Sequence, residues 1–213
     1  TASRTAFQNE DVRFVNINIS AFDAAKQDAV ALSADARVTL EELASQLGNH
    51  RVSTEYIQET RNLADEWDAQ VDRIYATRHG PPLSQAQVIG AVNDFSQDKD
   101  VVVCAAGSLP GDLHKLWRSR DPKSYHMEYG YSCMGYELAG GLGVKMADAS
   151  REVYVMVGDG SWLMMSQEIV TAVQEGIKLT VVLLDNHGYA SIGGLSKAVG
   201  SDGFGIHLND SRY

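Results

Sequence analysis

The chain of 213 residues is long enough for one large or two small domains, and its formal charge of −10 argues against nucleic acid as the main partner. Phosphate backbones are bound through clustered Lys and Arg, whereas the 18 basic residues here are scattered along the sequence. No apolar run reaches the roughly 18 residues of a membrane span, and Cys104 and Cys133 form no CxxC motif, so we expect a protein of the reducing cytoplasm.

The first part of the sequence predicts a small strand, strand, helix unit. Residues 12–19 are rich in β-branched aliphatic side chains and residues 29–32 are a second short apolar run, so both are predicted strands. Residues 38–47 carry apolar side chains at helical spacing, and Gly48 follows as a stop signal. The chain begins with Thr rather than Met, and we expect it to start inside a longer protein.

A polar segment connects this unit to the rest of the chain. Residues 54–77 are compatible with a helix but lack a wide apolar stripe, and the breaker cluster His79-Gly80-Pro81-Pro82 ends them. We therefore interpret residues 50–83 as a connector between two domains, not as a core element.

Beyond the breaker cluster, helix and strand patterns alternate. Ser84 is a predicted cap of a helix that runs to about Phe95. Continuous apolar strands that alternate with helices predict an α/β fold with a doubly wound parallel sheet, which binds ligands at the carboxyl ends of its strands. The predicted strands are residues 101–105, 125–128, 153–157 and 179–184, and the predicted helices are residues 134–147 and 163–175.

Two glycine-containing motifs directly follow predicted strands, Gly158-Asp159-Gly160-Ser161 and Asp185-Asn186-His187-Gly188. Glycines let the backbone turn tightly and approach a ligand closely, and the start of a following helix offers N–H groups to an anion such as phosphate. A diphosphate needs a hard counter-ion, and Mg²⁺ prefers oxygen ligands. We predict that the carboxylate of Asp159, the amide oxygen of Asn186 and the carbonyl of Gly188 hold this ion.

Two other glycine patterns have simpler explanations. The dinucleotide fingerprint GxGxxG requires a third glycine where this sequence has Leu163, so that alternative fails on spacing. Residues 140–143, Gly-Gly-Leu-Gly, fall inside a predicted helix, where close helix packing is the expected reason for glycine.

The Gly158-Asp159-Gly160 triplet, followed after twenty-five residues by Asn186, resembles the signature of thiamine-diphosphate enzymes. The resemblance covers essentially the whole chain. Residues 1–49 are similar to the C-terminal part of the family's central Rossmann-like domain. Residues 84–213 are similar to its diphosphate-binding domain, which we expect to be truncated at its C-terminus. The resemblance implies thiamine diphosphate and Mg²⁺ as cofactors.

The family's cofactor contacts can be carried over to matching positions. The resemblance implies a homodimer or homotetramer, in which the glutamate that activates the cofactor belongs to a separate domain. Nothing in this sequence corresponds to that domain, so the catalytic residue is unknown and we expect these residues alone to be inactive. The implied diphosphate contacts are Ser108, Leu109, Gly158, Asp159, Gly160 and Ser161, and the implied aminopyrimidine contacts are Ser132 and Met134.

A longer motif points to one branch of the family. Residues 126–137 read HMEYGYSCMGYE and resemble the trihydroxycyclohexanedione hydrolases of myo-inositol breakdown, as do residues 151–154. This resemblance implies hydrolytic cleavage of a C–C bond in 3D-trihydroxycyclohexane-1,2-dione to give 5-deoxy-glucuronate. A polyhydroxylated substrate needs hydrogen-bonding groups, and His126, His187 and Tyr189 are candidate contacts. An acetolactate-synthase-like carboligase and a non-catalytic cofactor-binding module remain as alternatives.

Overall fold

The computed structural model describes residues 6–78, 80–128 and 130–208. His79 of the breaker cluster and Tyr129 of the 126–137 motif lie outside the described residues. The chain divides into two compact units, Thr1–Leu63 and Ala64–Tyr213. Within the described ranges, no helix combines the length and the apolar character that crossing a membrane requires.

The first unit contains a two-stranded parallel sheet. Strand β1 (Val15–Asn18) pairs in parallel with β2 (Val30–Ser33), and the crossover between them holds the short helix α1 (Ala21–Ala24). Helix α2 (Ala36–Leu47) follows, and the Asp35 side chain caps it by accepting a hydrogen bond from the backbone N–H of Val38 at 3.0 Å. These elements agree with the strand, strand, helix prediction.

Helix α3 (Thr54–Ala76) contains the division between the two units. Its C-terminal part belongs to the core of the second unit, because Val71 is only 1% exposed and Ile74 and Tyr75 pack against the same cluster. The sequence predicted that residues 50–83 contain no core element, and the burial of Val71 shows that this part of the interpretation is wrong. The assignment of domains remains a prediction.

The second unit is built on a parallel sheet with the strand order β4-β3-β5-β6. Its strands are β3 (Val101–Cys104), β4 (Tyr125–Met127), β5 (Val153–Gly158) and β6 (Thr180–Leu184). Its helices after α3 are α4 (Gln85–Phe95), α5 (Ser108–Leu116), α6 (Tyr136–Ala147), α7 (Asp159–Met164), α8 (Glu168–Gln174) and α9 (Ala190–Ala198). Helix α4 begins with the predicted cap, since Ser84 and Gln87 form a reciprocal capping box.

Both faces of this sheet are covered, which confirms the doubly wound fold. Alternate residues of β3 point to opposite faces, as the strand period of two requires. Val102 and Cys104 belong to a core with residues of α3, α4 and α5, whereas Val101 and Val103 belong to a second core with residues of α6 and α7. Gly141 lets α6 lie close to the sheet, because a Cβ there would come within 2.4 Å of a Val155 methyl group.

Three helical regions differ from the sequence prediction. The predicted helix over residues 163–175 is two helices, α7 and α8, because the backbone at Met165 leaves the helical region. Helices α5 and α9 were not predicted, since their glycines and Pro110 resemble turn signals. Pro110 is tolerated because it lies in the first turn of α5, where its missing N–H would have had no partner in the helix.

Candidate cofactor-binding site

One pocket lies beyond the carboxyl ends of the sheet strands. It has a volume of about 260 Å³, and the segments that follow β3, β4, β5 and β6 form its walls. The sheet order reverses between β3 and β5, which is where open α/β sheets bind ligands. The lining residues are Ala106, Gly107, Ser108, Leu109, Ser132, Met134, Gly158, Gly160, Ser161, Asn186, Gly188, Tyr189, Ala190, Ser191 and Ile192.

The three predicted metal ligands lie in direct contact. Asp159 is the first residue of α7 and its side chain is fully buried. Its Oδ2 accepts a hydrogen bond from the backbone N–H of Gly188 at 2.7 Å. One terminal atom of the Asn186 amide lies 3.1 Å from Asp159 Oδ1 and 2.8 Å from the Gly188 carbonyl oxygen. The two motifs, which are distant in sequence, therefore meet at one edge of the sheet.

The orientation of the Asn186 amide decides what this cluster can bind. With its nitrogen inward, Asn186 donates hydrogen bonds to both Asp159 and Gly188. With its oxygen inward, three oxygen atoms face one another, an arrangement that a cation stabilises. A carboxylate, an amide oxygen and a backbone carbonyl suit Mg²⁺, which prefers oxygen ligands. Across residues 6–78, 80–128 and 130–208, no three His, Cys, Asp or Glu side chains cluster as a metal site.

Tight packing explains two glycines of the motifs. Gly188 has φ +138°, and a Cβ there would lie 2.0 Å from the carbonyl oxygen of Ile206. A Cβ at Gly160 would lie 2.7 Å from the ring of Tyr189. The chain passes directly from β5 into α7 at these glycines, and neither has a positive φ, since Gly160 is inside α7 and Gly158 has φ −78°. Gly158 is instead a strand end with open space above it, where the pocket lies.

The first residues of several helices line the pocket. Helix α5 begins at Ser108 and α9 begins at Ala190, and neither helix has a side-chain cap. Backbone N–H groups at the start of a helix have no partner within the helix and attract anions. The open space above Gly107 and Gly158 leaves room for such an anion. Because α5 begins at Ser108, Ser108 and Leu109 lie in the first turn of a helix and not in the loop that the sequence had predicted.

The segment after β4 supplies the opposite wall through Ser132 and Met134. The carboxylate of Glu128 accepts hydrogen bonds from the backbone N–H groups of Tyr131 at 2.9 Å and Cys133 at 2.7 Å. These hydrogen bonds stabilise the charged form and lower the pKa of Glu128. Ser132 lies between the two bonded residues with φ +53°, so Glu128 supports a turn that is costly for a non-glycine residue.

A buried acid next to the pocket was not identified from the sequence. Glu137 is 1% exposed, and its carboxylate accepts hydrogen bonds from the backbone N–H groups of Ala106 and Gly135. Burial raises the pKa of Glu137, and these hydrogen bonds oppose that shift. The signal in the sequence was an acidic residue in the first turn of a helix that is otherwise rich in small and apolar residues.

The three candidate substrate contacts occupy different positions. Tyr189 lines the pocket, and His187 lines a neighbouring depression that Tyr189 also borders. His187 has φ +62°, and its backbone N–H donates to Asp185 Oδ1 at 3.0 Å, so Asp185 supports the turn after β6. His126 does not line the pocket. Its Nε2 lies 2.7 Å from the Tyr136 hydroxyl, and the two rings are stacked.

Residues 105–207 match the family described as "Thiamine pyrophosphate enzyme, C-terminal TPP binding domain". The chain is also similar to proteins named 3D-(3,5/4)-trihydroxycyclohexane-1,2-dione hydrolase. Those of Bacillus cereus (strain AH820) and Bacillus anthracis (strain CDC 684 / NRRL 3495) are each 43% identical to it, and that of Bacillus thuringiensis (strain Al Hakam) is 42% identical. Each alignment covers 98% of this chain and 36% of the relative. The chain thus spans about a third of the length of the curated relatives it matches.

Proposed function

The chain belongs to the thiamine pyrophosphate enzymes, and on that premise we propose that the full-length protein uses thiamine diphosphate and Mg²⁺ to hydrolyse a trihydroxycyclohexane-1,2-dione. The similarity to hydrolases of this name, along nearly the whole chain, is the observation that carries the proposal. The pocket gives independent support, because an oxygen-rich cluster and the starts of several helices surround it.

Asp159, Asn186 and Gly188 would hold the metal ion in this scheme. Asp159 is the anionic member of the set, and its buried carboxylate is oriented by the Gly188 N–H. The diphosphate would lie over the open faces of Gly107 and Gly158, where the first N–H groups of α5 and α7 meet it. Gly160 and Ser161 also line the pocket.

The remaining lining residues would orient the cofactor and the substrate. Bound here, thiamine diphosphate supplies a nucleophilic carbon and an electron sink for breaking a bond beside a ketone. Ser132 and Met134 form the wall opposite the proposed metal site, and Leu109 and Ile192 give the pocket apolar surface. Tyr189 lines this pocket and the neighbouring depression, and a tyrosine hydroxyl suits a polyhydroxylated substrate.

The proposed reaction consumes one water molecule and needs no oxidant. The bond between the two ketone carbons breaks. One carbon gains the hydroxyl group and becomes a carboxylic acid, and the other gains a hydrogen and becomes an aldehyde. The product is the open-chain 5-deoxy-glucuronate.

We also propose a homodimer or homotetramer as the functional form. This follows from the family resemblance, in which the glutamate that activates the cofactor belongs to a separate domain, usually of a partner subunit. A cytoplasmic location is supported by the cysteines, since Cys104 and Cys133 are both free thiols.

The experiment is an assay of the purified full-length protein with thiamine diphosphate, Mg²⁺ and the cyclic dione. We expect one equivalent of 5-deoxy-glucuronate for each dione consumed, measured by NMR. The same protein is then given pyruvate. Acetolactate as the main product, without ring opening, would replace the proposal with a carboligase. Cofactor binding without either reaction would indicate a non-catalytic binding module.

A further inference from the structure

We propose that Glu137 is a positioning residue of the cofactor pocket, whose buried carboxylate holds the segment after β3 and the segment before α6 in one arrangement. The inference rests on the proposed function, because it concerns the site assigned above to the diphosphate. Glu137 itself does not line the pocket. The two backbone N–H groups that bond to it belong to a lining residue and to a residue next to one.

The contacts reach different parts of the chain. Oε1 of Glu137 accepts a hydrogen bond from the backbone N–H of Ala106 at 3.4 Å, across 31 positions of sequence. Oε2 accepts one from the backbone N–H of Gly135 at 2.9 Å. The Ser161 hydroxyl stabilises the charged form of the same carboxylate and so lowers its pKa. Ala106 and Ser161 line the pocket, and Gly135 directly follows the lining residue Met134.

Burial makes this arrangement specific for a carboxylate. Glu137 is 1% exposed, so water does not replace a lost partner. A carboxylate accepts at both oxygens, whereas an amide accepts at one and presents N–H groups at the other. In a Glu137→Gln variant, either Ala106 or Gly135 would face a donor instead of an acceptor. The corresponding wall of the pocket should then move away.

Asp100 provides a matched control. It is a buried acid, 7% exposed, and its Oδ2 accepts a hydrogen bond from the backbone N–H of Gln97 at 2.7 Å. It precedes β3, at the end of the sheet away from the pocket. Asp100→Asn therefore makes the same change from acid to amide at a buried position without touching the pocket wall.

The test compares wild type, Glu137→Gln and Asp100→Asn in the full-length protein. Two quantities are measured: the dissociation constant of thiamine diphosphate in excess Mg²⁺, and backbone hydrogen exchange without cofactor. For Glu137→Gln we expect about tenfold weaker binding and faster exchange at Ala106 and Gly135. For Asp100→Asn we expect a dissociation constant within about twofold of wild type.

Wild-type affinity and exchange in Glu137→Gln would overturn the inference, as would equal losses of affinity in both variants. If Glu137→Gln does not fold, Glu137→Asp replaces it, because the shorter acid keeps the charge but withdraws from Ala106. Wild-type affinity in that variant would also overturn the inference. Absence of binding in wild type contradicts the proposed function instead, and the exchange data from cofactor-free protein still test the role of Glu137.

Discussion

The two sides of the pocket are built differently. On the side of β5 and β6, the predicted ligands Asp159, Asn186 and Gly188 contact one another directly. On the side of β3 and β4, the lining residues depend on two acids that do not line the pocket, Glu128 and Glu137. On the first side, we therefore expect a substitution to change cofactor binding directly. On the second side, we expect substitutions of the two acids to weaken binding through the local structure of the wall, with little change in the stability of the whole fold.

The largest effect is expected from Asp159→Ala. This change removes the buried carboxylate of the proposed metal site, so the affinity for thiamine diphosphate with Mg²⁺ should fall by about a hundredfold or more. Asp185→Ala is the control, because Asp185 supports only the turn at His187, and its affinity should fall less than about fivefold. Calorimetric titration of the full-length variants measures both. Unchanged affinity in Asp159→Ala would remove this residue from the metal site.

Gly188→Ala should damage both the fold and the site. The new Cβ would collide with the Ile206 carbonyl oxygen, and φ +138° is unfavourable for alanine. We expect the free energy of unfolding to fall by about 1–3 kcal/mol and cofactor binding to be lost with it. Gly143→Ala is the matched control, since it is helical and a Cβ there meets nothing within 4 Å. Denaturant unfolding compares the two, and equal stability would show that residues 206–207 do not pack as described.

A smaller and more local effect is expected from Glu128→Gln. The neutral side chain can accept from only one of the Tyr131 and Cys133 N–H groups with its amide oxygen. The affinity for thiamine diphosphate should fall by about three- to tenfold, with little change in global unfolding. Loss of global stability comparable to that of Gly188→Ala would show that this side is not separable from the fold.

The same residue predicts a pH dependence. The pKa of Glu128 is lowered in the folded protein because two backbone N–H groups bond to its charged form. Its stabilising contribution is therefore complete above the usual glutamate pKa of about 4.3 and is lost as the pH falls below that value. Hydrogen exchange at Tyr131 and Cys133, corrected for intrinsic rates, should lose protection in this acidic range. Protection that is independent of pH in wild type would contradict this assignment.

The smallest effect is expected from His126→Phe. The ring stacking with Tyr136 is kept and only the hydrogen bond at 2.7 Å is lost. We expect the KM for the dione to stay within about twofold, at a stability cost of about 1 kcal/mol. Steady-state kinetics and thermal unfolding measure these quantities. A tenfold higher KM would identify His126 as a substrate contact after all.

Much of the second unit could be predicted from local patterns. Continuous apolar runs indicated its parallel strands, and Ser84 indicated the start of α4. Helices α5 and α9 were not predicted because they contain glycines and Pro110, which are residues typical of turns. Whether such a segment forms a helix or a turn depends on how it packs against the sheet, and composition does not contain that information.

The meeting of Asp159 and Asn186 could be predicted from the sequence. Each follows a strand of the same parallel sheet, and one helical region and one strand lie between them, so both lie at the carboxyl edge of the sheet. The roles of Glu137 and Gly160 depended on folding. Glu137 meets a backbone group 31 positions away, and Gly160 lies under the ring of Tyr189. Periodicity and spacing describe residues that are near one another in sequence. The close packing around a buried acid or a glycine forms only when the crossover connections bring separate loops together.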